Sequence, residues 1–252
     1  MSVWAILACR ARSERLYCKP LQRVGRKPIL DHIVENIRQL QAVDGIALAI
    51  ADGRSNECFV EYAEERALPY VRGPESDVLA RVLTAIDRFA IDTMFRVTTE
   101  CPFMFADRAG EIVSDHVAHD RDFTTIVNLP LGTTYELIHR RVLEEMASTG
   151  DQRYRAPLSL FVFEHADRLR VSTLLPPPDC RRPEVNLAVD HPGQLIFCQR
   201  AFDCLAGRGM PIAVRDLIRY HDSNPVTSAL VTSIHEDVFA VKPDHTMARV
   251  WP

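Results

Sequence analysis

The chain has 252 residues, 47% of them hydrophobic and 25% charged, which suits one α/β domain with a full core. Its formal net charge of −4 argues against a general nucleic-acid binder, which would usually be basic. No apolar run approaches the roughly 18 residues that span a bilayer, so we expect no membrane partner. Its seven cysteines lack Cys-x-x-Cys spacing, so we expect a cytoplasmic protein with reduced thiols, without a zinc site or a disulfide framework.

The first half of the sequence alternates between strand and helix patterns. Continuous apolar runs predict buried strands, and apolar residues at helical spacing predict amphipathic helices. The predicted strands cover residues 3–9, 46–51, 70–71 and 94–97. The predicted helices cover residues 28–40, 55–68, 76–89 and 105–117, the first three starting at Pro28, Ser55 and Ser76. This alternation predicts a single α/β domain (1–252) with a doubly wound, mainly parallel sheet and helices on both faces.

The pattern becomes less regular after about residue 123. We expect two further strands and two further helices, at residues 124–127, 186–189, 140–146 and from Pro192 onward. Three consecutive prolines at 176–178 predict a stiff loop without a helix. The stretch 130–184 is therefore a candidate small arm that covers the active site or contacts a second subunit.

The loop after the first predicted strand is strongly basic. Doubly wound sheets bind ligands at the carboxyl ends of their strands, so this loop is a candidate binding site. Residues 10–27 contain one acid, Glu14, and seven positive side chains: Arg10, Arg12, Arg15, Lys19, Arg23, Arg26 and Lys27. Arginine and lysine side chains pair with phosphate oxygens, so a polyphosphate fits this loop. Charge alone leaves open a simple solvated loop.

Five segments carry motifs in a consistent order over residues 9–192. Residues 9–21 match A-R-x-x-S-x-R-L-P-G-K-x-L at Arg10, Ser13, Arg15, Leu16, Lys19 and Leu21. Residues 25–30 are similar to G-G-K-P-M-L, residues 73–81 to D-V-L-x-R, residues 96–102 to R-x-T-G-D-C-P and residues 186–192 to V-D-T-P. Together these segments resemble the sugar-acid cytidylyltransferases, in the branch of spore-coat polysaccharide and 3-deoxy-manno-octulosonate cytidylyltransferases.

The resemblance implies a Rossmann-like fold, CTP as donor and Mg²⁺ as cofactor. It implies a catalytic role on the phosphates for Lys19, Arg10 and Arg15. The nucleotide-binding residues it implies are Arg10, Ser13, Arg15, Lys19, Asp77 and Arg81. It also implies metal ligands at Glu100 and Asp190, and one or two carboxylates are what Mg²⁺ usually takes from a protein. Without the resemblance, these two acids can also be interpreted as residues at helix starts.

The chain departs from the family pattern at three places. Tyr17-Cys18 stands where the family has Pro-Gly. A cysteine is strained at a positive φ, so we expect a differently shaped loop. Thr99-Glu100 replaces Gly-Asp, which lengthens the metal-binding side chain by one methylene. Residues 155–159 replace Arg-Glu-His-Val-Thr, so an acid and a histidine of the acceptor side are missing.

The acceptor side offers weaker signals. Residues 132–136 resemble the family's G-x-x-x-E, so Glu136 is a candidate for binding an acceptor hydroxyl, with Asn128 and Arg155 as further candidates. We therefore expect a homodimeric enzyme that transfers CMP from CTP to a small acidic acceptor: a sugar acid, a sugar or polyol phosphate, or a phosphonate. Two alternatives remain open, a catalytically weak nucleotide-binding regulator and a glycosyltransferase that uses a nucleotide-sugar.

Other patterns are interpreted as structural. Asp120-Arg121-Asp122 has the D-x-D spacing of metal-dependent glycosyltransferases but precedes a predicted strand instead of following one. His116 and His119 lack a third metal ligand and are expected on a helix surface. Cys101 is expected to pack in the core. The sequence contains no G-x-x-x-x-G-K-[S/T] and no G-x-G-x-x-G, which disfavours P-loop and dinucleotide-binding proteins.

Overall fold

The computed structural model describes residues 1–208, 211–231 and 248–250. The strands are β1 (Val3–Cys9), β2 (Arg23–Val24), β3 (Lys27–Pro28), β4 (Gly45–Ala51), β5 (Tyr70–Gly73), β6 (Thr93–Arg96), β7 (Phe123–Ile126), β8 (Glu136–His139), β9 (Val171–Leu175) and β10 (Ala248–Val250). The α-helices are α1 (Ile29–Arg38), α2 (Glu57–Glu65), α3 (Val78–Phe89), α4 (Ala109–Ala118), α5 (Arg140–Ser148), α6 (Leu158–Glu164), α7 (Pro192–Leu205), α8 (Val214–Ser223) and α9 (Pro225–Ser228). No helix in these described segments is both long and apolar enough to cross a membrane.

The main sheet is mixed and mostly parallel, as the sequence predicts. Its strand order is β10-β9-β7-β8-β6-β1-β4-β5. Among the described strands of this sheet, only β8 runs antiparallel to its neighbours, β6 and β7. The chain moves from β1 to β4 on one side and returns to β6 on the other, so the strand order reverses around β1. Ligands bind at such switch points in doubly wound sheets.

Strand β1 is buried on both faces because its side chains alternate between two hydrophobic cores. Ala5, Leu7 and Cys9 pack into a core that includes Ile33 of α1. Ile6 packs on the opposite face, in a core that includes Val82 of α3. Helices therefore cover both faces of the sheet, and the apolar run that predicts this strand reflects that double burial.

Several predicted boundaries change in the structure, and those of the first two helices shift by one to three residues at each end. The helix predicted from Ser76 starts after Asp77, whose carboxylate accepts a hydrogen bond from the Ala80 N–H at 2.8 Å. The helix predicted at 105–117 begins at Ala109, and the preceding Phe105 N–H donates to the Thr133 carbonyl at 2.8 Å. The strand predicted at 186–189 is reduced to one parallel bridge between Leu131 and Asn186.

The candidate arm at 130–184 contributes directly to the main sheet. It contains β8 and β9 together with α5 and α6, of which only α5 is predicted from the sequence. Its role in acceptor binding or in dimerisation stays a prediction.

Candidate active site

The basic loop begins where β1 ends and is closed by hydrogen bonds. The Cys18 N–H donates to the Ala11 carbonyl at 2.8 Å, which brings the two ends of the loop together. The Ala11 N–H donates to Oδ1 of Asn56 at 2.7 Å, and Nδ2 of Asn56 donates to the Asp52 carbonyl at 2.9 Å. Asn56 is fully buried and joins the loops that follow β1 and β4. Sequence reasoning missed this residue, since an asparagine after a Gly turn carries no distinctive signal.

Cys18 adopts the backbone conformation that a glycine would adopt. Its φ is 50° and its ψ is 47°, in the left-handed region. This conformation costs a residue with a side chain about 1–2 kcal/mol. The backbone strain expected from the sequence is therefore present, but Cys18 still adopts the left-handed conformation of the turn. A 3-10 turn follows directly at Lys19–Leu21.

Lys19, Arg15, Asp190 and Glu100 converge beside this loop. The Lys19 ammonium contacts Oδ1 of Asp190, and Nη2 of Arg15 reaches the same oxygen at 3.1 Å. The Lys19 side chain is 13% exposed and the Asp190 side chain 26%, so both face a crevice. The Val189 N–H donates to the Glu100 carbonyl at 2.9 Å, which holds the two acidic segments side by side.

The electrostatics of Glu100 reflect this crowding. Burial raises its pKa, the Asp190 carboxylate raises it further, and Lys19 partly offsets both effects. No group of three or more His, Cys, Asp or Glu side chains that could hold a metal ion lies in the part of the chain that the structure describes. Two neighbouring carboxylates with hard oxygen donors nonetheless fit Mg²⁺, which keeps several water and phosphate ligands of its own.

The other predicted nucleotide-binding residues differ in their surroundings. Arg10 is exposed and Ser13 is half-buried, both in the basic loop. Asp77 caps α3 and also accepts a hydrogen bond from Nη1 of Arg155 at 2.8 Å. Arg81 is only 1% exposed, and its guanidinium donates to the Pro74 carbonyl at 2.5 Å. Arg81 therefore orders the loop before α3, and its role in binding the nucleotide stays a prediction.

The predicted acceptor residues are largely engaged with other side chains. Glu136 binds Nη1 of Arg96 at 2.6 Å and the Ser159 hydroxyl at 2.5 Å. Arg155 is paired with Asp77, as described above. Asn128 is exposed, has a φ of 64°, and lies just beyond β7. The binding of an acceptor by these three residues stays a prediction.

Arg96 is the cation that sequence reasoning missed on this side. It is the last residue of β6 and lines a cavity of about 100 Å³. The cavity is also lined by Thr98 and Glu100 and by residues of α3 and of the arm, among them Ala156. Its Nη1 is bonded to Glu136, while its Nε and Nη2 have no partner within the described ranges. An arginine at the end of a buried strand, within a matched motif, was the available signal.

The remaining sequence patterns have structural roles. Asp122 is buried, accepts a hydrogen bond from the Arg170 N–H at 2.7 Å and is ion-paired with Arg141, so the D-x-D segment is an ion-paired loop. His116 is not on a helix surface as expected. It is 1% exposed, and its Nδ1 lies 2.9 Å from the Thr124 hydroxyl. Cys101 is buried, as predicted.

A doubly wound sheet whose switch point carries a basic loop and two neighbouring carboxylates has the parts of a nucleotidyltransferase-type site. A family model described as cytidylyltransferase matches residues 4–166. The chain therefore belongs to the cytidylyltransferase family and is an enzyme, a CTP-dependent nucleotidyltransferase.

The alignment with a curated relative covers most of the chain. The spore coat polysaccharide biosynthesis protein SpsF of Bacillus subtilis is 24% identical over 226 residues, which are 87% of this chain and 94% of SpsF. This relative confirms the resemblance to the spore-coat branch.

Solved structures confirm the Rossmann-like fold. A cytidylyltransferase from Leptospira borgpetersenii has a TM-score of 0.81 at 18% identity and covers 95% of this chain and 99% of its own. CMP:2-keto-3-deoxy-manno-octonic acid synthetase, solved with CTP, has a TM-score of 0.62 at 13% identity over 81% of this chain and 99% of its own. Rv0371c of Mycobacterium tuberculosis, solved with manganese, has a TM-score of 0.58 at 14% identity over 79% and 99%.

Proposed function

We propose that this enzyme transfers CMP from CTP to a small acidic acceptor and releases pyrophosphate. The observation that carries the proposal is the convergence of the basic loop with two carboxylates at one edge of the sheet. Lys19 and Arg15 contact Asp190, which lies beside Glu100. A triphosphate with its metal ion would meet cations and carboxylates in this crevice, as the reaction requires.

The reaction follows from this arrangement. An acceptor oxygen attacks the α-phosphorus of CTP, the bond from that phosphorus to the bridging oxygen breaks, and pyrophosphate leaves. Such chemistry depends mainly on positioning and on neutralising charge. Lys19 and Arg15 would exchange Asp190 for the β- and γ-phosphates and neutralise the departing pyrophosphate. Arg10, Ser13 and backbone N–H groups of the loop would bind the remaining phosphate oxygens.

We propose that Glu100 and Asp190 hold a Mg²⁺ ion. When bound, the ion supplies positive charge to the triphosphate. No general base is needed if the attacking oxygen of the acceptor is already ionised, as in a carboxylate, a phosphate or a phosphonate.

Arg96 is the candidate for binding the acidic group of the acceptor. Glu136 is bonded to Nη1 of Arg96, so the pair is neutral but retains unused donors beside the cavity. A guanidinium with free Nε and Nη2 can bind an oxyanion in a bidentate manner. Arg155, the candidate suggested by the sequence, is already paired with Asp77.

Pyrophosphate release from CTP tests the proposed site. Glu100→Ala and Asp190→Ala should each abolish turnover and still fold, because each removes one metal ligand. Glu100→Asp should keep partial activity, since the charge remains while the reach shortens. Glu61→Ala, at an exposed acid of α2, is the control and should be neutral. A near-normal rate for Glu100→Ala at saturating Mg²⁺ would show that the metal is held elsewhere.

A further inference from the structure

Two cysteine sulfurs are in contact beside the basic loop, and the proposed reaction uses neither. The Sγ atoms of Cys18 and Cys58 lie 3.9 Å apart, in van der Waals contact. Cys18 directly precedes Lys19, and Cys58 lies in the first turn of α2. Both are free thiols in this structure.

The two residues differ in how firmly they are held. Cys58 belongs to a regular helix, and its thiol lies 3.6 Å from the Ser55 carbonyl. Cys18 occupies a left-handed backbone conformation that is already strained. A disulfide requires a sulfur separation of about 2.05 Å, so the sulfurs would have to approach by almost 2 Å. Because Cys58 is held in a helix, we expect the backbone at Cys18 to take up this movement and to carry Lys19 with it.

We propose that Cys18 and Cys58 form an intramolecular disulfide when the protein meets a hydroperoxide, and that this modification displaces Lys19 from the phosphate-binding position. The Cys58 sulfur first cleaves the O–O bond of the hydroperoxide, giving a sulfenic acid and an alcohol or water. The Cys18 sulfur then attacks the sulfenic sulfur, the S–S bond forms, and water leaves. The two thiols lose two electrons and two protons, which reduce the peroxide.

The order of these steps follows from exposure. Cys58 is partly exposed, whereas Cys18 is buried. Burial and the neighbouring Cys58 raise the pKa of the Cys18 thiol to about 12. The hydroperoxide reaches the more exposed sulfur first, so Cys58 is oxidised first and Cys18 resolves the sulfenic acid.

Peptide mapping tests the disulfide itself. The reduced full-length protein is treated with hydrogen peroxide, digested without reductant and examined by mass spectrometry. We expect a peptide pair linked through Cys18 and Cys58 in the wild type and in Cys204→Ser, which removes an exposed cysteine outside the site. We expect no such pair in Cys58→Ser. Absence of the link in the wild type, or a link between other cysteines such as Cys9 and Cys58, would overturn the proposal.

Calorimetry with CTP and Mg²⁺ tests the consequence, which rests on the proposed function. Oxidation should weaken CTP binding by about tenfold or more, and dithiothreitol should restore it. Cys58→Ser should keep its affinity under the same oxidant, and an equal loss in this variant would refute the displacement of Lys19. If the reduced wild type binds no CTP, the proposed function fails. In that case hydrogen exchange of residues 10–22, measured before and after oxidation, shows whether oxidation moves the loop. Unchanged exchange would overturn the displacement.

Discussion

At the scale of single residues, Lys19 is notable for being a lysine. Only three of the 30 basic residues are lysines, and the third, Lys242, lies outside the described residues. A side chain that merely solvates a loop would most often be an arginine in this chain. Lys19 is instead largely buried and contacts Asp190. An ammonium is a compact point charge that fits among phosphate oxygens, whereas a planar guanidinium needs room for its fork.

Lys19→Arg should therefore keep the charge and lose activity. We expect kcat/KM to fall by roughly tenfold or more, which corresponds to about 1.4 kcal/mol of transition-state stabilisation. Arg23→Lys is the matched control, because Arg23 is exposed and its guanidinium donates to the Arg26 carbonyl at 3.3 Å, away from Asp190. Steady-state pyrophosphate release on both variants decides the matter. A wild-type kcat/KM for Lys19→Arg would mean that the lysine contributes only its positive charge and not its shape.

At the scale of elements, the start of α3 joins two predicted sites. Asp77 was expected to bind the nucleotide and Arg155 the acceptor, yet the two are paired at 2.8 Å. The Leu79 N–H also donates to the Arg155 carbonyl at 3.0 Å. This contact ties the arm to the helix next to the site. Asp77 thus has a capping role that its motif match did not reveal.

Asp77→Ala should destabilise the protein by about 1 kcal/mol through loss of the cap. For a chain of this size that corresponds to a melting temperature lower by roughly 2–4 °C. Asp77→Asn should stay close to wild type, because asparagine caps helices as well as aspartate does. Thermal unfolding of both variants measures the effect. Equal losses in the two variants would assign the stability to the ion pair with Arg155.

The elements that sequence reasoning found share one physical property. Strands β1 and β4 are buried on both faces, and their continuous apolar runs report that burial directly. Strand β8 has only Leu137 and Ile138 buried between polar ends, so it carries no such run. Its place in the sheet depends on antiparallel pairing with β6 and β7, which a local pattern cannot reveal.

At the scale of the whole molecule, the site combines residues far apart in the sequence. Lys19 and Asp190 are separated by 171 positions and are in contact in the structure. Their motif matches made both of them candidates, so this part of the site could be predicted. The pairing of Arg96 with Glu136 and Ser159 could not, since it depends on how the arm folds back against β6.

Buried His116 should make stability depend on pH. Burial, together with the nearby His139, Arg121 and Arg141, lowers its pKa from 6.5 to about 4. Below pH 6.5 this histidine binds a proton in the unfolded chain but stays neutral in the folded protein. The free energy of unfolding therefore falls as the pH decreases from about 6.5 to 4. The shift corresponds to about 3 kcal/mol.

His116→Gln should lose this part of the pH dependence. Urea unfolding of the wild type and the variant at neutral pH and near pH 4 compares their free energies of unfolding. We expect the wild type to lose more stability than the variant over this interval. An equal loss of unfolding free energy in the two proteins would mean that titratable groups other than His116 cause the loss of stability in acid.

The most direct test of the central claim is mass spectrometry of the products formed from a nucleotide and an acceptor panel. The protein is incubated with Mg²⁺, one of CTP, ATP, GTP or UTP, and sugar acids, sugar and polyol phosphates and phosphonates. A parallel set contains nucleotide-sugars with CTP. The account predicts a CMP conjugate of an acidic acceptor, formed from CTP together with pyrophosphate. A conjugate formed preferentially from another nucleotide, or a sugar transferred from a nucleotide-sugar while CTP stays intact, would contradict it.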